Sequence, residues 1–126
     1  MQKTFLSKQA KEFRYKYEIQ NSPARKATSY QKNLIVEEYA EFIEADSMLY
    51  RDNDEIESEA LKELADLIYV CYQYAENMGW FLDEALDRVH QSNMSKLGED
   101  GKPIYREDGK VLKGPNYKPP DLSDLT

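Results

Sequence analysis

Two pairs of acids stand three residues apart near the middle of the chain. Glu38 and Glu41 lie in Leu34-Ile35-Val36-Glu37-Glu38-Tyr39-Ala40-Glu41-Phe42-Ile43, and Glu63 and Asp66 lie in Leu61-Lys62-Glu63-Leu64-Ala65-Asp66-Leu67-Ile68. On a helix, positions i and i+3 share a face, so each pair projects from one side of its helix. Most such pairs only line a solvated surface. A wheel at about 100° per residue tests that reading. With Glu38 as origin, Ala45 and Leu49 fall within about 20°, and Leu34 and Phe42 within about 40°. Glu38 therefore points into the apolar arc, with Glu41 at its edge. On the second helix Glu63 borders the Leu64/Leu67/Cys71 stripe and Asp66 lies just outside it. Val70 and Asn77 continue the same line.

A carboxylate held against apolar neighbours costs several kcal/mol unless it is protonated, paired or bound to a metal. The block from Glu37 to Asp66 carries twelve acids and only two bases, Arg51 and Lys62. Few bases are available to pair, and crowded like charges destabilise a fold unless something neutralises them. Two helices turning such faces toward one groove would form an all-oxygen site, which suits Mg²⁺ or Mn²⁺. A di-iron carboxylate bundle needs Glu-x-x-His on two helices. The one histidine, His90, cannot supply that and reads as a helix-face residue.

Four helices are expected to position these groups. The first spans about Lys3 to Ile19 and ends at Asn21-Ser22-Pro23. The second spans about Ser29 to Tyr50, before the polar break Arg51-Asp52-Asn53-Asp54. The third spans about Asp54 to Met78, with Gly79 as C-cap. The fourth spans Asp83, as N-cap, to Leu97. Four of the five glycines and four of the five prolines then fall between Gly98 and Thr126. There Glu107-Asp108-Gly109 between two short runs reads as a hairpin turn. We expect one all-α domain: a helical catalytic part, 1–97, and a hairpin and arm, 98–126.

The net charge of −7 argues against a nucleic-acid partner. The longest apolar run, Leu67 to Tyr72, is too short for a bilayer, and nothing near Met1 reads as a signal peptide. The lone Cys71 reads as a buried thiol, so a cytoplasmic setting is expected.

At the acid pairs the chain resembles the all-alpha NTP pyrophosphatase superfamily, the MazG-like, dUTPase-like and phosphoribosyl-ATP pyrophosphohydrolase-like enzymes. Their signature is Glu-Glu-x-x-Glu on one helix and Glu-x-x-Asp on the next. Glu37-Glu38-Tyr39-Ala40-Glu41 and Glu63-Leu64-Ala65-Asp66 match it. Ser92-Asn93-Met94-Ser95-Lys96 and Lys113-Gly114-Pro115-Asn116-Tyr117 are similar to a branch common in bacteria and phages.

The resemblance implies a four-helix bundle completed by homo-oligomerisation as a dimer or tetramer. It implies Mg²⁺-dependent hydrolysis of an NTP or dNTP to the monophosphate and pyrophosphate, with Mn²⁺ able to substitute. It implies that Glu38, Glu41, Glu63 and Asp66 ligate the metal. Glu37, Glu38 and Glu41 would form the catalytic acids, one of them taking a proton from water. Asn93, Lys96, Lys113 and Lys118 would face the substrate, as would Asn77, an amide where relatives place a base. The phage-like tail points to deoxynucleotides, with dGTP as the expected preference, in pool control or DNA precursor supply. Trp80 and Phe13 read as core aromatics that are also able to stack on a base. The rival readings are a non-catalytic acidic helical interaction module and, within the fold, a diphosphatase or a phosphoribosyl-ATP hydrolase. The Lys-Gly-Pro-Asn-Tyr arm counts against the last.

Overall fold

The computed structural model describes residues 5–49 and 54–126. Four α-helices follow in order: α1 Phe5–Lys16, α2 Arg25–Asp46, α3 Asp54–Met78 and α4 Leu82–Met94. A short 3-10 turn, Ser123–Leu125, closes the chain. Among the described residues there is no strand, so the all-α expectation holds. The expected start at Lys3 and the break at Arg51 to Asn53 lie outside the described residues.

The helix ends are set by backbone chemistry more than by side-chain caps. α1 stops at Lys16, short of the expected Ile19. The Ile19 N–H bonds back to the Arg14 carbonyl at 2.9 Å and the Glu18 N–H to Tyr15 at 3.2 Å. Glu18 sits between them at φ 55°. That left-handed C-terminal turn normally takes glycine. α3 ends by the same pattern with the residue that suits it. Gly79, at φ 74°, is followed by Trp80 bonding back to Ala75 at 2.9 Å.

α2 begins four residues before the expected Ser29. Its N-cap is Ala24, which is extended and offers no capping side chain. The Ser22 hydroxyl instead accepts from the Ala24 N–H at 3.1 Å. α4 has Phe81, not Asp83, at its N-cap, and Asp83 lies in the first turn. There an acid still complements the helix dipole.

The chain forms two compact units, Met1–Trp80 and Phe81–Thr126. In the first, α2 packs along α3 and α1 packs on α3. Its core is thin: the buried apolar residues are Ala10, Ala60, Tyr72 and Ala75, and among the described residues no large side chain is wholly enclosed. Phe13 stacks with Tyr17 and meets Tyr69 edge-on at 5.7 Å. Trp80 packs against Tyr74 at 5.7 Å. Cys71 is half-buried, and burial pushes its thiol pKa up, as suits a structural cysteine.

The second unit binds α4 to the tail, so α4 groups with residues beyond the expected 97/98 boundary. The Arg88 guanidinium forks onto Asp124, and the Ser92 hydroxyl donates to the Lys118 carbonyl at 2.7 Å. The Gly114 N–H donates to the Lys96 carbonyl at 2.8 Å. A Cβ on Gly114 would stand 2.3 Å from the Leu97 carbonyl oxygen, so only glycine fits there. The expected hairpin is minimal. Tyr105 and Val111 form one antiparallel bridge, and Gly109 turns the chain at φ 88°.

Candidate active site

Glu38 and Glu41 occupy one face of α2 because three residues advance a helix by nearly a full turn. Glu63 and Asp66 do the same on α3. The two faces meet. Carboxylate oxygens of Glu38, Glu41 and Glu63 lie within 4.8 Å of one another. Glu41 is exposed at the rim, Glu38 is half-buried, and the Glu63 side chain is 12% exposed. Oε2 of Glu38 and Oε2 of Glu63 are buried with no hydrogen-bond partner. Glu63 is thus deeper than its edge position on the wheel implied.

The electrostatics follow from that crowding. Burial, a hydrogen bond with Glu41 and repulsion from Glu41, Asp66 and Glu63 lift the Glu38 carboxyl from 4.5 to about 6. Each of these causes disfavours the charged carboxylate, so a cation among the oxygens would relieve the crowding. Glu37 is exposed beside it on α2.

The acidic block has a base that pairs: Lys62 Nζ stands 3.0 Å from Asp66 Oδ2 and 3.5 Å from Glu63 Oε1. These contacts raise the Lys62 pKa. An exposed lysine one residue before Glu63 and four before Asp66 reaches both, and i, i+4 spacing makes that pair natural. Asp66 is therefore coupled to the cluster through charge and through Lys62, while the three glutamates make the tight set.

The donors fit a hard divalent cation. They are all carboxylate oxygens, and two are buried without a partner. Opposite ligands of an octahedral Mg²⁺ stand about 4.2 Å apart, so the spread within 4.8 Å needs only a small closure.

Asn77 has partners of its own. It is 3% exposed; its Oδ1 accepts from Arg14 Nη2 at 3.0 Å and from the Ser22 N–H at 3.0 Å, and its Nδ2 donates to the Ser22 carbonyl at 2.8 Å. It clamps the α1–α2 loop. Since the end of α3 thereby meets the start of α2, the two helices run antiparallel. Asn93, Lys96, Lys113 and Lys118 lie in the second unit. Asn93 is exposed, Lys96 half-buried, Lys113 Nζ lies over the Tyr117 ring at 4.8 Å, and Lys118 bonds through its backbone to Ser92 and Ser95. His90 is exposed.

Sequence reading missed Arg14. It is 4% exposed and bonds to Asn21, Gln73 and Asn77, all neutral amides, at 2.6, 3.2 and 3.0 Å. Burial lowers its pKa, with Glu76 opposing. The available signal was weak: an arginine one turn from Ala10 and next to Phe13 on the apolar side of α1.

A helical bundle with an acid pair on each of two facing helices has the architecture of the all-α, MazG-like NTP pyrophosphatases. A family model for phosphoribosyl-ATP pyrophosphohydrolase matches residues 2–93, and the chain belongs to that family. No curated protein matches the chain. The family's activity is pyrophosphohydrolysis of nucleotide phosphoanhydrides, and MazG-like enzymes generally use divalent metals. The matched span contains both acid pairs and stops at Asn93. Among the described residues no helix is long and apolar enough to cross a membrane.

Proposed function

We propose that the protein is a Mg²⁺-dependent nucleoside triphosphate pyrophosphohydrolase that converts a (d)NTP and water into the (d)NMP and pyrophosphate. The observation that carries this reading is the trio Glu38, Glu41 and Glu63, with two buried carboxylate oxygens lacking any partner inside a 4.8 Å cluster.

Glu38, Glu41, Glu63 and Asp66 would hold the metal. When bound, Mg²⁺ neutralises phosphate charge and acidifies water for attack on phosphorus. The chain's own groups do the rest. The carboxylates fix the position of the charge, and the half-buried walls of Glu38 and Glu63 exclude bulk water and strengthen every interaction inside. An acid at the rim, Glu41 or the exposed Glu37, accepts a proton from attacking water. Lys62 offers a cation at the same edge. Asn93, Lys96, Lys113 and Lys118 are the candidate contacts to sugar and phosphates that the resemblance implies, with dGTP the expected preference. Mn²⁺ should substitute for Mg²⁺.

The apolar surface supports a homo-oligomer. Val36, Tyr39 and Ile43 on α2 are 59, 56 and 46% exposed, and Leu61, Leu64 and Ile68 on α3 are 66, 39 and 45% exposed. Both sets repeat at helical spacing, so each helix leaves one apolar stripe uncovered. A second copy covering them matches the bundle expected from sequence, and sedimentation of an active 14.8 kDa monomer would contradict it.

A second reading, phosphoribosyl-ATP as the nucleotide, has the family description in its favour and uses the same acids. The deciding experiment is a panel of the common NTPs and dNTPs plus phosphoribosyl-ATP with Mg²⁺ or Mn²⁺, separating mono- from diphosphate products. Asp66→Asn should abolish turnover while the helices stay folded. Full turnover by that variant at matched Mg²⁺ would sink the assignment, and an acidic interaction module would remain.

A further inference from the structure

The seam between α2 and α3 does not end at the acids. Gln31 precedes Glu38 by seven residues, two helical turns, so both project from one face of α2 about 10 Å apart along the axis. On the antiparallel α3, Gln73 and Asn77 follow Asp66 on the line that carries the acids. The seam therefore runs from carboxylates at one end to amides and a buried guanidinium at the other.

At that second end lies a cavity of about 510 Å³, with Arg14, Ser22, Lys26, Tyr30, Gln31 and Asn77 among its walls. The volume suits a small organic molecule. Ile19, Ala24 and Ala27 supply apolar wall. Gln31 is 5% exposed, and its Oε1 is buried without a hydrogen-bond partner. A buried acceptor left unpaired costs free energy, which a turn of the Gln31 amide toward a ligand N–H in the cavity would recover. The guanidinium of Arg14 is also buried here, with neutral amides as its hydrogen-bond partners. Lys26 stands exposed at the rim. The cavity is therefore cationic, in contrast to the acid cluster two turns away.

We propose that this cavity is the nucleobase pocket, and that it takes a base with a lactam edge, a ring N–H beside a carbonyl, as in guanine, uracil and thymine. With the Gln31 amide turned toward the cavity, the N–H donates to its Oε1, and the carbonyl oxygen lies toward the positive charge of Arg14 and Lys26. Adenine and cytosine present a bare ring nitrogen beside an amino group, which would turn a donor toward that charge. The flat body of the base packs on Ile19, Ala27 and the Tyr30 ring. The distance of about 10 Å from Gln31 to Glu38 along α2 is comparable to the reach from a nucleotide's base to its phosphates. The assignment rests on the nucleotide reading above and adds the part of the substrate that the acids do not touch.

The test uses free nucleosides, which carry no phosphate and need no metal. The full chain in EDTA is titrated with guanosine, uridine, thymidine, adenosine and cytidine, with binding followed by the Gln31 and Asn77 side-chain amide NMR signals. At least one lactam nucleoside should shift those signals and bind at least tenfold more tightly than adenosine and cytidine. Gln31→Leu should weaken it at least tenfold, and Lys26→Met, at an exposed position that does not threaten folding, severalfold. Glu38→Gln should leave nucleoside binding unchanged. With nucleotide and Mg²⁺, both pocket variants should raise KM more than they lower kcat.

No nucleoside binding by the intact protein, equal binding of all five, or full binding by Gln31→Leu and Lys26→Met would overturn the pocket. So would a crystal grown with nucleoside that shows only a water bridging Gln31 Oε1 to Gln73 Nε2. Nucleoside binding without any Mg²⁺-dependent turnover would support the pocket while defeating the proposed reaction. Turnover without nucleoside binding would do the reverse.

Discussion

Replacing Glu38 by glutamine should stabilise the metal-free protein at neutral pH while removing its response to Mg²⁺. The structure sets the size of the first effect. A carboxyl lifted from 4.5 to about 6 by burial and by Glu41, Asp66 and Glu63 carries at most about 2 kcal/mol of unfavourable free energy once ionised. Because Glu38 is only half-buried, solvent screening reduces this toward about 1 kcal/mol. The folded state holds its proton more tightly than the unfolded chain. The penalty is therefore absent below about pH 4.5, grows between 4.5 and about 6, and is fully present above that. Glutamine keeps the shape and can donate its amide hydrogens to Glu41 and Glu63, so the variant escapes the penalty. Urea unfolding in EDTA should show the variant more stable than wild type at pH 8 by about 1 kcal/mol, a few degrees in Tm, and equal to it at pH 4. Saturating Mg²⁺ should then raise the wild-type Tm as binding to the native state requires, with little rise in the variant. A variant less stable than wild type at pH 8 in EDTA would show that the acids do not crowd as described. An unaltered Mg²⁺ response would show that Glu38 is not a ligand.

Three further outcomes follow from particular contacts. Glu18→Gly should stabilise the protein by up to about 1 kcal/mol in urea unfolding, because it relieves a left-handed residue at φ 55° in an exposed turn. Asn77→Ala should cost about 3 kcal/mol, since it removes a partner from buried Arg14 and both backbone contacts to Ser22. A loss within a few tenths would mean that the α1–α2 loop is held by other contacts. Lys62→Ala should tighten Mg²⁺ binding severalfold in calorimetry, because it removes a cation that competes for Asp66 and Glu63. Weaker metal binding would instead make Lys62 part of the site's support.

Much of the site was legible in sequence because helical periodicity is a local property. Three-residue spacing within Glu38–Glu41 and Glu63–Asp66 placed each pair on one face, and the wheel put Glu38 against apolar neighbours. The α3 boundaries could be read for the same reason: Gly79 supplies the left-handed turn that ends a helix. The start of α2 could not, because Ala24 caps it without a capping side chain. The end of α1 could not either, because glutamate occupies the position where glycine would announce the stop.

Periodicity says which way a side chain points from its own helix and nothing about what arrives from another. The sequence alone determined an all-α chain with acids on two helical faces and a glycine- and proline-rich tail. Only tertiary structure decided that Glu38, Glu41 and Glu63 converge within 4.8 Å and that Lys62 leans onto Asp66. It alone placed Arg14, fifty-nine residues before Gln73, beside that glutamine and Asn77. The physical reason is that burial and charge coupling are set by distances between segments remote in sequence. A carboxyl lifted to about 6 and an unpartnered Gln31 oxygen exist only once three helices have packed.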